Sequence, residues 1–222
     1  MRVLERTARP VTAELDGIVE AATLGAAGPF TLNAGNVVNE SANPFDGTIV
    51  LSPPRRVLIS SVGDDSAVNF TILGYDRGGA LISEIIAGAN ADAVVSTYVY
   101  SQIVSVSADD ATTDDVTVGW TAESISAWLV LGNSRGPAGF LLSTQGNDEE
   151  GAEIDIEVTT RNILRDRILG DLASDTRILD ADNSPHTEDM ESVCLVPYAA
   201  VRVRAVGNTV PIILRCNPNY TV

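Results

Sequence analysis

Lysine is absent from the 222 residues, histidine occurs once, cysteine twice, and aromatic side chains make up only 5%. Each shortage excludes a class of chemistry. With His186 as the sole imidazole, in the polar stretch "NSPHTED", no multi-histidine zinc site can be assembled, and no nucleophile-elbow motif supplies a serine for a triad. Cys194 and Cys216 are too few for a disulfide framework or a metal cluster. A closing hairpin that turns near Asn208 sets residue 216 opposite residue 200 and leaves Cys194 past the end of the pairing, so both are expected as buried thiols. No apolar run approaches the roughly 20 residues of a membrane helix. The start, "MRVLERTARP", has no apolar signal core. The expectation is a soluble chain that does not leave the cell by that route and has no membrane partner.

What is present in excess is acid. Thirty Asp and Glu face 14 basic residues, all arginine, for a net charge of −16. Such a surface repels phosphate backbones, so no nucleic-acid partner is expected; it serves solubility or docking to a basic partner. The acidic pairs Asp64–Asp65, Asp109–Asp110 and Asp114–Asp115, and the run Asp148–Glu150, fall between apolar segments, where Asp caps turn backbone. Asp180 and Asp182 alternate, but the stretch lacks the glycine and distal glutamate of a calcium loop. No catalytic residue, metal ligand or cofactor is predicted, and the chain is not expected to be an enzyme. A hydrophobic content of 45% against 20% charged residues opposes disorder, and the length suits one large β domain or two small ones.

From Phe30 onward, "FTLNAG", "GTIVLS", "RRVLISSVG", "VNFTILGY", "ALISEIIAG", "STYVYSQIVSVS" and "VTVGWTA" alternate apolar and polar residues between Gly, Asn, Asp and Pro. Short Val-, Ile- and Thr-rich runs of this kind predict an all-β, antiparallel β-sandwich or jelly-roll-like fold. In "VNFTILGYDRGGALISEIIAG", Phe70 and Ile72 fall on one face and Asn69 and Thr71 on the other; the glycines of "YDRGG" suit a turn, and the pairing register stays open. The texture breaks around Glu123–Asn133. Three segments follow: an N-terminal arm over 1–22, with helix or strand undecided within 11–22; a β-sandwich domain over 23–122; and a β-rich domain over 123–222. In the last, Ile154, Ile156 and Val158 alternate with Asp155 and Glu157, which predicts a wet face. The long excursion 161–190 carries Ile163, Leu164, Ile168 and Leu172 at the spacing of a short helix. Tyr98, Tyr100 and Trp120 offer either a sugar-binding platform or a core or interface stripe, and alternation puts both tyrosines on one face.

The block "DDSAVNFTILGYDRGGALISEIIAG", followed by "VVSTYVYSQIVSVSADDATTDDVTVGW", resembles a module of tailed-bacteriophage virion structural proteins, in which a similar hairpin leads into a strand ending near "TVGT". The likeness is clearest over residues 55–120. A second stretch, "VPYAAVRVRAVGNTVPIILRC", resembles the closing hairpin of the same proteins. Where the family has an Asp-x-x-Gly-Asn turn this chain has "YDRGG", so the likeness is one of shape and carries no catalytic residue. The resemblance implies a head decoration (cement) protein that bridges and stabilises major capsid subunits. It also admits a neck or tail component, or a glycan-binding virion appendage. The implied partners are the major capsid protein or other virion proteins and further copies of the chain, a trimer above all. The implied location is the virion, with the host cytoplasm during assembly. Arg2, Arg6 and Arg9, basic residues at the start of an acidic chain, are the candidate capsid contacts.

Overall fold

The computed structural model describes residues 4–33, 42–43, 47–131, 139–145, 153–161, 177–178, 191–194, 199–206 and 211–220. All regular structure among them is extended. The strands are β1 (Leu4–Ala8), β2 (Glu14–Ala22), β3 (Gly28–Pro29), β4 (Ala42–Asn43), β5 (Thr48–Ser61), β6 (Asn69–Tyr75), β7 (Leu81–Ala87), β8 (Ala93–Ala108) and β9 (Val116–Trp120). There follow β10 (Glu123–Ile125), β11 (Leu129–Val130), β12 (Gly139–Gln145), β13 (Glu153–Thr159), β14 (Arg177–Ile178), β15 (Glu191–Cys194), β16 (Ala200–Val206) and β17 (Ile212–Tyr220). Every pairing is antiparallel. The expected all-β, antiparallel, sandwich-like fold is what the chain adopts. The helix expected near Ile163–Leu172 lies outside the described residues, as do His186 and Asp180–Asp182.

The chain forms two compact units, and the opening residues are shared between them. Residues 4–22, expected as an arm, are β1, which lies in the unit of the chain's second half, and β2, which lies in the unit of its first half. β1 completes a sheet edge by pairing along β17, Leu4 opposite Cys216 through Ala8 opposite Ile212.

The unit over 12–121 holds an eight-stranded sheet in the order β2-β9-β5-β8-β6-β7, with β3 on β8 and β4 on β5. Two long strands bend. On β5 the register jumps between Val50 and Arg55 while its partner advances only from Gln102 to Tyr100. The looped-out part contains Pro53 and Pro54, which have no N–H to give a ladder. On β8 the surplus lies at Ser96–Tyr98, between the partners of Arg56 and Leu58. A bulge leaves backbone donors to satisfy. Glu84 of β7 does so, accepting from Thr97 N at 2.7 Å and Tyr98 N at 3.1 Å. Because a β7 side chain reaches the first half of β8 while β8's second half pairs with β6, the sheet curls over its own inner face. Ile49, Val57, Phe70, Ile72, Ile103 and Val118 are among the side chains buried in this unit.

The hairpin β6–β7 runs Tyr75 opposite Leu81 to Asn69 opposite Ala87, which settles the register. Asp76 sets its turn: Oδ1 accepts from Gly78 N at 2.9 Å and Ala80 N at 2.8 Å, and Gly79 takes φ +77°, a region unfavourable to any residue with a Cβ. Phe70 and Ile72 point inward, as their alternation requires.

The other unit is a two-layer sandwich. One layer runs β1-β17-β12-β15; the second runs β10-β16-β13-β14, with β11 also on β16. Ile154, Ile156 and Val158 of β13, Val201, Val203 and Ala205 of β16, and Ile212, Leu214 and Cys216 of β17 share one core. This corrects the closing hairpin. β16 and β17 belong to different layers: Ala200 lies opposite Thr159 and Val130, and Cys216 opposite Leu4 and Leu142. Both strands turn their apolar residues into the same core from opposite sides, an arch between layers. Cys194 and Cys216 lie on β15 and β17, either side of β12, so their Cα atoms are separated by two strand spacings, about 10 Å, too far for a disulfide. Cys216 is buried.

Candidate functional site

Of the three aromatic residues offered as a platform, Tyr98 is half-buried and the other two are core. Tyr100 is fully buried and Trp120 nearly so. The Trp120 indole N–H donates to Thr12 O at 3.0 Å, and the Arg55 guanidinium stacks over its ring at 4.8 Å. Tyr100 OH stands 3.4 Å from Glu84 Oε2; burial, and then the Glu84 charge, push its phenol far above the usual range. Val99 and Tyr100 are both buried beside the β8 bulge, so strict inside-outside alternation lapses there.

The acidic pairs in the described turns cap backbone. Asp64 accepts from Ser66 Oγ at 2.7 Å and Asp109 from Asn69 N and Nδ2, each at 2.8 Å; these hydrogen bonds hold both carboxyls below the usual carboxylate range. Asp65 Oδ1 accepts from Thr113 N at 2.7 Å, tying the turn after β5 to the one before β9. Among the described residues, no three His, Cys, Asp or Glu side chains group so as to hold a metal ion.

Arg2 lies outside the described residues. Arg6 and Arg9 are exposed on and just after β1. Arg6 is tied to its own unit through Nε to Trp128 O at 3.3 Å and Nη1 to Glu5 O at 3.0 Å. The Arg9 carbonyl accepts from Ser124 Oγ. The backbone of this segment is thus anchored while the basic surface of Arg9 stays open.

The expected wet face of β13 is covered. Arg202, 1% exposed, donates from Nε to Glu157 Oε2 at 2.6 Å, and its guanidinium lies 4.3 Å from the centre of the Trp128 ring. Beside it Arg204 bonds Asp155 through Nε at 3.1 Å and Glu123 through Nη1 at 3.0 Å, and its Nε lies 3.6 Å from Glu157 Oε1. Burial opposes the charge of Arg204, but Asp155 and Glu123 outweigh it and hold the guanidinium above its usual range. The physical reason for the correction is pairing: cross-strand Asp155–Arg204 and Glu157–Arg202 neighbours cancel charge well enough to be removed from water. Two guanidiniums thus bridge three carboxylates, and the cluster ties β10, β13 and β16 together.

The exposed feature is an edge. β7 ends its sheet, and on it Leu81 is 56% and Ile85 70% exposed. Their face continues over Tyr75, Leu73, Thr71 and Asn69 of β6, with Ser105 and Ser107 of β8 opposite Leu73 and Thr71. None of these residues is an acid or a base, in a chain with 30 acidic residues. Sequence reading placed Asn69 and Thr71 on one face but did not extend it to Leu81 and Ile85, because an apolar residue on the outer face of a terminal strand looks the same as one facing a second layer. The signal available was the absence of charge from both alternating sets except at Glu84. No protein family, curated protein or solved structure matches the chain.

Proposed function

We propose that this chain is a structural protein of a tailed-bacteriophage particle, a decoration or cement protein that lies over the junctions of major capsid subunits as a homo-oligomer. The reading is carried by the outer face of β6 and β7, which bears no charged side chain and exposes Leu81 and Ile85 on an otherwise acidic chain, a surface suited to contact with protein. Two further features support it. The phage-like block over 55–120 corresponds to β5–β9, one continuous sheet, and Arg9 presents a positive charge beside an anchored strand.

The physics of such a role is simple. A packaged genome presses outward, and a protein that spans two shell subunits adds contact area that must break before they part. Many modest contacts on one shell combine through multivalency. Deleting residues 1–10 is a poor test of the basic segment, because it also removes β1 from its sheet. Charge reversal at the open arginine is cleaner: Arg9→Glu should fold normally and lower incorporation into particles. The observation that tests the whole reading is stoichiometry. Copies in proportion to shell subunits support decoration; a six-fold or twelve-fold ring indicates a neck or tail position; absence from purified particles ends the proposal.

A further inference from the structure

The hydrogen-bond parity of β7 shows which of its groups are available. Asp76 N donates to Ala80 O and Gly88 N to Val68 O, each at 2.9 Å, at the two ends of the β6–β7 ladder. In an antiparallel pair the bonded residues alternate. The even residues of β7 therefore face β6, and Leu81, Ser83, Ile85 and Ala87 turn both N–H and C=O away from it. The same residues carry the exposed side chains. Terminal strands are usually blunted by lysine, proline or an inward charge. β7 has no proline or lysine, and its single charge, Glu84, is engaged by Thr97 N and Tyr98 N.

We propose that β7 is a self-association edge: two copies of the chain pair β7 to β7 antiparallel across a twofold axis at Ser83, with Leu81 of one copy opposite Ile85 of the other. Charge favours a second copy as the occupant. Two molecules of net charge −16 repel wherever their acidic surfaces meet, and this face lets them touch without opposing like charges. A basic partner would gain nothing from a surface without acids. The strand is also self-complementary, since its outward residues read apolar, small, apolar about Ser83. The register follows from the same rule. Sliding the pair to overlap all of β7 would set Glu84 against Glu84, like charges directly opposite, whereas the axis at Ser83 sets Glu84 opposite Ile82. The joint is twofold, so the smallest closed assembly is a dimer in place of the trimer implied by the resemblance. The inference concerns the free chain and does not depend on which particle it serves.

The test is sedimentation velocity on the full chain over a concentration series, with two variants. Ile85→Lys replaces an exposed side chain, so the fold should persist, checked by circular dichroism; the dimer dissociation constant should rise about tenfold or more. Ser83→Cys, oxidised under mild conditions, should give a covalent dimer, and Val62→Cys, 64% exposed but off the strand, should not. A monomer at all concentrations, a dimer indifferent to Ile85→Lys, or a dimer in which Ser83→Cys fails to cross-link would overturn the proposal.

Discussion

The Arg202–Glu157 pair offers a sharp test of the sandwich in the second unit. Its 2.6 Å bond is buried on both sides, and Trp128 covers the guanidinium. Arg202→Met keeps most of the side chain's length but removes its charge. Glu157 is then left facing Arg204 Nε at 3.6 Å, beyond hydrogen-bond length. Breaking one side of a buried pair costs about 3–5 kcal/mol. With a urea dependence of about 2 kcal/mol per molar, the unfolding midpoint should fall by about 2 M. Trp128 reports on this unit directly, and a Trp120→Phe background isolates its fluorescence. Replacing both partners, Arg202→Met with Glu157→Leu, removes the uncompensated charge and should recover most of the loss, because an apolar pair of similar volume is often neutral or better. If the two single effects simply add in the double variant, the charges are not coupled and the description of a buried, matched pair is wrong.

Other consequences follow from the hairpin, the core tyrosine and a close approach. Asp76→Ala removes two acceptor contacts in the β6–β7 turn and should destabilise the first unit by about 1–3 kcal/mol, read as a lower thermal midpoint. Tyr100 should be missing from the phenolate absorbance of the folded protein in alkaline titration. Because its folded-state pKa is raised, the stability it contributes is complete below about pH 10 and is lost as pH rises above that value; a full complement of five tyrosines titrating before unfolding would contradict its burial. Gly119→Ala would drive a Cβ into the Glu14 carbonyl oxygen, so β2 must shift away from β9; a loss of about 1–3 kcal/mol is expected, and an unaffected melting curve would exclude that packing.

Much of the fold could be read from alternation alone. Phe70 and Ile72 against Asn69 and Thr71 announce a strand with one buried face, and that is how β6 sits. What alternation does not encode is the partner. Val201, Val203 and Ala205 followed by Ile212, Leu214 and Cys216 satisfy a hairpin and an arch equally, and the choice rests on β1, β12 and β13 offering edges far away in sequence. The adjacent burial of Val99 and Tyr100 follows from a bulge whose donors are met by Glu84 of another strand, a partner that alternation cannot announce. Asp155 and Glu157 read as solvated until Arg204 and Arg202 are placed beside them. The exposed face of β7 was hidden in the same way, for its apolar outer residues acquire meaning only once the strand is known to end its sheet.

The most direct measurement is an image. Purified chain carrying a small electron-dense label, added to particles that lack it, should decorate the shell in a regular array at subunit junctions. Label at a single vertex would move the chain to the neck or tail, and bare particles at saturating protein would contradict a structural role on the virion altogether.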